Sequence, residues 1–201
     1  VTTPVLWDRH SGTIVNNESS EIVRMFNAAF DGVTGNRRDF YPKALRAEID
    51  ALNERIYTTL NNGVYRAGNA KSQEAYEEAA QGVFETLDWL EARLATRRYL
   101  CGDATTEADW RLFPTLVRFD TAYYHVMKCN LRRLSEYPNL HAYTRDLYRQ
   151  PGIAGTVDLA AIKMGYWSNR ERNPTGVVPI GPVVDFTAPH GRDRLAAKAA
   201  E

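Results

Sequence analysis

The chain has little that would tie it to nucleic acid, to a membrane or to a resident metal. Its 201 residues carry 25 lysines and arginines against 25 aspartates and glutamates. No surplus positive charge is left to follow a phosphate backbone or an anionic lipid surface. Long apolar runs are missing too. Stretches such as VVPIGPVV near the C-terminus are broken by proline and glycine and fall far short of the roughly 20 residues that span a bilayer. There are only two cysteines, Cys101 and Cys129, without any C-x-x-C or Cys/His ligand spacing, which argues against a zinc site and against a disulfide framework. A reducing cytosol and a small-molecule or protein partner fit what remains. The opening VTTPVLWD has no initiator methionine, charged leader or secretory apolar segment, and it reads as the continuation of something upstream.

What is present follows two different periods. Residues 2–7 form a β-branched run, Ser11 and Gly12 a turn, and Thr13 to Val15 a second run, which together predict a hairpin. SSEIVRMFNAAF follows, with Ile22, Val23, Met25, Phe26 and Phe30 at helical spacing. Strand, turn, strand, helix is half of an α/β unit, since two strands alone do not make a stable sheet. The glycine- and charge-rich DGVTGNRRDFYP, Asp31 to Pro42, is the expected connector. Beyond it Leu45, Ile49, Leu52, Ile56 and Leu60 step by four and three, as do Tyr76, Ala80, Val83, Leu87, Leu90 and Leu94, predicting two antiparallel helices. Thr106 and Asp109 have capping-box spacing, Pro114 lies two turns further on where it should kink the helix, and Pro138 suits a helix start. Pro151 to Met164 is expected as a last long helix. From Asn173 the proline- and glycine-rich NPTGVVPIGPVVDF predicts an extended tail over the surface, and RDRLAAKAAE at most a frayed helix.

Quoted as they stand, TPVLWD, TIVNNESSEIVRMFN, NNGVYRAGNAKSQEAY, LCGDATTEADWRLFPTLVRFD, KCNLRRLSEYPNL and NPTGVVPIGP resemble the glutathionyl-hydroquinone reductases, the xi class of the glutathione transferase superfamily. The likeness runs through nearly the whole chain. The Glu-Ser pair and the capping box are shared across the superfamily, whereas NNGVYRAG and NPTGVVPIGP are particular to this family. The resemblance implies an α/β fragment followed by an all-α part: residues 1–31 as the C-terminal half of a thioredoxin-like domain, 32–43 as linker, 44–168 as the transferase helical bundle and 169–201 as extended tail.

It also assigns roles. Pro4 corresponds to the cis-proline that turns a backbone segment toward glutathione, with Thr3 standing where the family has valine. Glu18 and Ser19 match the pair that holds the γ-glutamyl end, the carboxylate facing its ammonium and the hydroxyl with helix N-terminal amides receiving its carboxylate. Taken on spacing alone, Ser19 or Ser20 is simply an N-cap with a solvated acid beside it. Tyr65, Tyr123 and Tyr166 match tyrosines around the aromatic substrate, placed to hydrogen-bond its oxygens and assist proton transfer. Tyr65 and Tyr166 fall in stretches expected to be loops, Tyr124 competes with Tyr123, and Trp167 is a further candidate for lining the pocket. Any one of eleven tyrosines more often packs its ring and wets its hydroxyl. Asp109 and Thr106 belong to folding. Cys129, near Lys128, has either a low-pKa thiol or a packed one.

The implied chemistry is thiol exchange. A cysteine thiolate in a Cys-Pro-Trp-Ala motif, expected upstream of Val1, attacks the sulfur of a glutathionyl-hydroquinone, and a second glutathione releases oxidised glutathione. Glutathione is then the co-substrate, no metal is needed, and a cytoplasmic homodimer is the expected form. A non-catalytic transferase-like binding module and a conventional transferase that activates glutathione with serine or tyrosine are the competing readings.

Overall fold

The computed structural model describes residues 3–198. Val1 and Thr2, where the opening strand was expected to begin, and the last three residues of the closing stretch lie outside them. The chain divides into two compact units, Val1–Ala47 and Glu48–Glu201.

In the first unit, β1 (Leu6–Asp8) pairs antiparallel with β2 (Thr13–Asn16). The ladder therefore starts later than the run of β-branched residues suggests. Pro4 has no N–H to give to a ladder, and residues 3–5 are unpaired. The turn is closed by Asp8, whose carboxylate accepts from His10 N, Ser11 N and Ser11 Oγ, while Gly12 takes φ +65°, a backbone conformation open to glycine at little cost. Helix α1 (Ser19–Ala28) follows. The expected connector is not wholly irregular: Asp31–Thr34 make one helical turn, α2, ended by Gly35 at φ +71°.

The second unit is helical. The stretch from Leu45 to Leu60 is not one helix: α3 (Arg46–Ile56) runs into a wide π-helical turn, Tyr57–Asn61, and then into a helix that periodicity did not suggest, α4 (Gly63–Asn69). The long α5 (Gln73–Leu94) runs antiparallel to α3, as three contacts in reverse order show. Glu48 pairs with Arg93, Arg55 stacks on Trp89, and Thr59 bonds Thr86. Helix α6 (Glu107–Arg118) continues through Pro114 and opens into a second π-helical turn, Phe119–Tyr123, and the short α7 (Tyr124–Val126). Helix α8 (Pro138–Tyr148) begins on proline at its first position, where the missing N–H leaves no bond unmade. The segment expected to be a helix from Pro151 to Met164 is interrupted. Gly152 sits at φ +82°, only Ala154–Thr156 make a tight turn, and α9 (Leu159–Trp167) starts afresh with Asp158 accepting from Ala161 N at 2.9 Å. Leu87, Leu90, Leu94, Leu112, Leu116, Leu140 and Leu147 are fully buried and form the centre of this unit.

The tail is anchored more firmly than a strip over the surface. Phe186 is buried between the rings of His141 and Tyr148. Arg192, 3% exposed, donates to the carbonyls of Leu94, Arg97, Arg98 and Asn139, so it satisfies the open end of α5 from a hundred residues away. Helix α10 (Asp193–Lys198) follows directly. Among the described residues no helix is long and apolar enough to cross a membrane, and no group of three or more His, Cys, Asp or Glu side chains is placed to hold a metal ion.

Candidate functional site

The first unit gathers four of the singled-out residues at one end of its hairpin. Leu6 pairs with Asn16, so Thr3 and Pro4, just before Leu6, and Glu18 and Ser19, just after Asn16, leave the sheet at the same end. The Thr3–Pro4 peptide bond is cis. All four residues are exposed. Neither Ser19 nor Ser20 caps α1. Glu18 is the N-cap, its Oε1 accepting from Ser20 N at 3.4 Å and from Ser20 Oγ at 3.3 Å, and its own N–H is taken by Asn16 Oδ1 at 2.7 Å. This leaves the Ser19 hydroxyl beside the open amides of a ten-residue helix, an arrangement suited to a carboxylate.

The second unit brings Tyr65, Tyr123 and Tyr166 together. Tyr65 and Tyr166 are on helices, α4 and α9, not in loops. Helix α4 holds Tyr65 in place because its glycines permit close packing on the bundle. A Cβ at Gly63 would lie 2.9 Å from Val83 Cγ2, and one at Gly68 would lie 2.3 Å from Met127 Sδ and 3.1 Å from Met127 Cα. The glycines of NNGVYRAG are thus explained by contact. Tyr123 is set by the π-helical turn, whose extra residue per turn re-aims a side chain relative to a regular helix. Asp120 fixes that turn from the far side, accepting from Leu134 N at 2.6 Å, and burial raises its carboxyl pKa. Tyr124, the competing neighbour, points away: its ring stacks on Arg133 and against His125.

The three phenolic oxygens close a triangle, 2.5 Å from Tyr65 to Tyr166, 3.1 Å from Tyr123 to Tyr166 and 3.3 Å from Tyr65 to Tyr123. The rings meet edge to face, with centroids 5.4 Å apart for Tyr123 and Tyr166 and 5.7 Å for Tyr65 and Tyr123, the favoured arrangement for aromatic quadrupoles. Burial, then the neighbouring phenols, hold the Tyr123 hydroxyl protonated far above the usual tyrosine range. Burial also pushes Tyr166 up to about 12. Tyr65 is the outermost of the three at 37% exposed, against 3% for Tyr123. A triangle of hydroxyls with one open corner can give a proton to an oxygen arriving from solvent and share the resulting charge. Trp167 packs beside this cluster: its Nε1 donates to Thr121 O at 3.2 Å and its ring lies 6.1 Å from His125.

Neither cysteine fits a nucleophile. Cys129 is 0% exposed, and burial pushes its thiol up to about 12. Cys101 is half-buried and likewise shifted up, chiefly by burial. Of the two readings of Cys129, the packed thiol is the one found: it lacks the electropositive, exposed setting that makes a thiolate. Iodoacetamide at neutral pH is expected to leave Cys129 unmodified in the folded chain and to alkylate it fully in denaturant, as mass spectrometry of the peptide can read. Rapid labelling without denaturant would contradict this burial.

Residues 73–146 match the family described as "Glutathione S-transferase, C-terminal domain". The chain is 54% identical over 194 residues to the glutathionyl-hydroquinone reductase YqjG of Escherichia coli K12, covering 96% of this chain and 59% of that protein. It is also 54% identical over 183 residues to the glutathionyl-hydroquinone reductase PcpF of Sphingobium chlorophenolicum, covering 90% of this chain and 58% of that one. The solved glutathione-bound structure of YqjG superposes with a TM-score of 0.93 over 96% of this chain and 63% of its own. A xi-class transferase from Natrialba magadii gives 0.93 at 47% identity, over 96% and 60%. The chain thus spans a little under two thirds of the length of these relatives.

Proposed function

Because the chain belongs to the glutathionyl-hydroquinone reductases, the xi class of the glutathione transferase superfamily, we propose that the complete protein reduces glutathionyl-hydroquinones with glutathione as co-substrate. The observation that carries this reading is the triangle of tyrosine hydroxyls, 2.5 to 3.3 Å apart, supplied by three separate helical elements. Such a cluster suits a phenolic ring whose oxygen needs a proton donor nearby. The first unit, the second half of a thioredoxin-like domain, receives the peptide part of glutathione. Main-chain groups at Thr3 and Pro4 pair with it, while Glu18 and Ser19 meet its ammonium and carboxylate.

The reaction balances as follows. A thiolate of the protein attacks the glutathionyl sulfur and forms an S–S bond. The ring reacts as its keto tautomer, in which the carbon bearing sulfur also holds a hydrogen and the neighbouring oxygen is a carbonyl. As the carbon–sulfur bond breaks, its electron pair passes through the ring to that oxygen, which takes up one proton, and hydroquinone leaves. A second glutathione then exchanges with the mixed disulfide, and oxidised glutathione departs. The raised pKa values of the half-buried Cys101 and buried Cys129 thiols support assigning the attack to a cysteine in the part of the complete protein outside these 201 residues. The tyrosines supply and receive the protons. Family membership is also the ground for proposing a homodimer in the cytoplasm, with residues 1–31, 32–43, 44–168 and 169–201 as half-domain, linker, bundle and tail.

Incubating the complete protein with a glutathionyl-hydroquinone and glutathione should release one hydroquinone and one oxidised glutathione per turnover, and Cys101→Ser with Cys129→Ser should leave that ratio intact. Absence of turnover together with conjugation of glutathione to a chloroarene would make it a conventional transferase. Tight glutathione binding without either reaction would make it a binding module.

A further inference from the structure

Helix α9 brings Tyr166 into the cluster, yet none of its residues, Leu159 to Trp167, is buried, and Met164 is 56% exposed. Most helices in a protein are held in place by an apolar face packed on a core. Here that face is only half-buried: Ile162, Tyr166 and Trp167 are partly covered, and no residue of the helix is fully enclosed. Nor can the hydroxyl triangle hold it during a reaction, because an arriving substrate oxygen has to displace one of those bonds.

Besides the Tyr166 ring on Tyr123 and a bond from Lys163 Nζ to Ile180 O at 2.8 Å, a set of hydrogen bonds reaches α9 at its C-terminal end. Trp167 Nε1 donates to the carbonyl of Thr121 at 3.2 Å, inside the same π-helical turn that presents Tyr123. Arg172 Nη2 donates to Asn69 Oδ1 at 2.5 Å, and Asn69 is the last residue of α4, which carries Tyr65. The turn that swings Arg172 back is closed by Asn173 N on Asn169 O at 2.8 Å and by Asn173 Nδ2 on Trp167 O at 2.7 Å. Each of the other two tyrosine-bearing elements is therefore tied to the end of α9 by one side chain.

We propose that Arg172 and Trp167 are positioning residues that set the Tyr166 hydroxyl against Tyr65 and Tyr123 by linking α9 to α4 and to the Phe119–Tyr123 turn. This rests on the reading that the cluster faces the phenolic ring of the substrate. Neither residue touches the reacting atoms. Their effect is geometric, and small displacements of a catalytic group are costly to the rate while leaving remote binding alone.

The test is steady-state turnover of a glutathionyl-hydroquinone by the complete protein, with Arg172→Ala, Arg172→Lys and Tyr166→Phe alone and with Arg172→Ala combined with Tyr166→Phe. Arg172→Ala should lower kcat about tenfold and leave the KM for glutathione unchanged. Arg172→Lys, whose ammonium can still donate to Asn69, should recover part of the loss. With Tyr166 already replaced by phenylalanine, Arg172→Ala should cost no more than about a further twofold, because the two act through one group. An equal loss with or without the Tyr166 hydroxyl, or no loss at all, overturns the positioning role. If Tyr166→Phe alone turns over at the native rate, the reading of the cluster fails and the positioning role falls with it, a result distinct from the first. Should Arg172→Ala not fold, Trp167→Phe, which keeps an aromatic ring and removes the donating N–H along with part of the indole, provides the same comparison in its dependence on the Tyr166 hydroxyl.

Discussion

Replacing Asp109 with alanine is expected to lower the unfolding free energy by about 3–4 kcal/mol, several times what an ordinary surface substitution does. The side chain is 0% exposed and accepts four hydrogen bonds: from Leu100 N at 2.9 Å, Thr106 N at 2.7 Å, Thr106 Oγ1 at 2.9 Å and Tyr143 Oη at 2.7 Å. A helix cap alone is worth about 1 kcal/mol. This carboxylate does more than cap α6, because it also takes up an N–H from the preceding loop and the hydroxyl of a fully buried tyrosine on α8. Alanine would strand all four donors in a space without water, and a buried donor left unpaired costs more than the bond it once made contributed. Burial raises the Asp109 pKa while the four donors pull it down, so the site is a balance that asparagine restores only in part. Its amide oxygen accepts from one side, but its NH2 group confronts donors on the other. Thermal unfolding should place Asp109→Ala about 10 °C below the native chain, with Asp109→Asn between the two and Tyr143→Phe nearest to native. A loss of only a degree or two for alanine would show that water or a rearranged loop satisfies these donors.

That capping box was legible in the sequence as T-x-x-D, since both partners lie within one turn. The same locality made α1, α5 and the proline start of α8 readable from spacing and breakers. Features set by distant partners were not. The π-helical turns at Tyr57–Asn61 and Phe119–Tyr123 have no periodic signature, because each inserts a single residue into an otherwise regular pattern. Helix α4 is short and held by α5 and Met127 through glycines, residues that count against a helix when propensity is read alone. For the same reason Tyr65 looked like a loop residue, and Tyr166, next to Gly165 near the end of α9, did too. Arg192 appeared as one charge in a hydrophilic stretch, and nothing nearby hinted that its partners lie on residues 94–98 and 139. The Arg172–Asn69 tie spans 103 residues and has no local signal either. In the candidate site, the identity of the tyrosines came from resemblance, whereas the arrangement of their hydroxyls is a property of the tertiary fold.

The arrangement also ranks Tyr65 against Tyr123. Tyr65→Phe is expected to reduce kcat for glutathionyl-hydroquinone about 10²- to 10³-fold, the range of a lost proton donor, and Tyr123→Phe only about tenfold, less than that range. Tyr65 is the exposed corner of the triangle, so it is the hydroxyl an incoming oxygen meets first. Once it gives up its proton, its oxygen sits 2.5 Å from the Tyr166 hydroxyl and 3.3 Å from that of Tyr123, and both can donate to the new anion. They stay protonated to do so: burial keeps Tyr123 high and pushes Tyr166 to about 12, well above the working pH. Tyr123 thus acts through Tyr65, and its loss removes one of two supporting bonds. A hydrogen bond to a charged group contributes about 1.5–3 kcal/mol, which in the weaker 3.3 Å geometry corresponds to the smaller factor. The KM for glutathione should not move in either variant, because the residues proposed for its peptide part belong to the first unit. The ranking is checked by the kcat ratio of the two variants at one pH: equal losses would mean that no single corner donates the proton, and a larger loss at Tyr123 would move the donor to the buried hydroxyl.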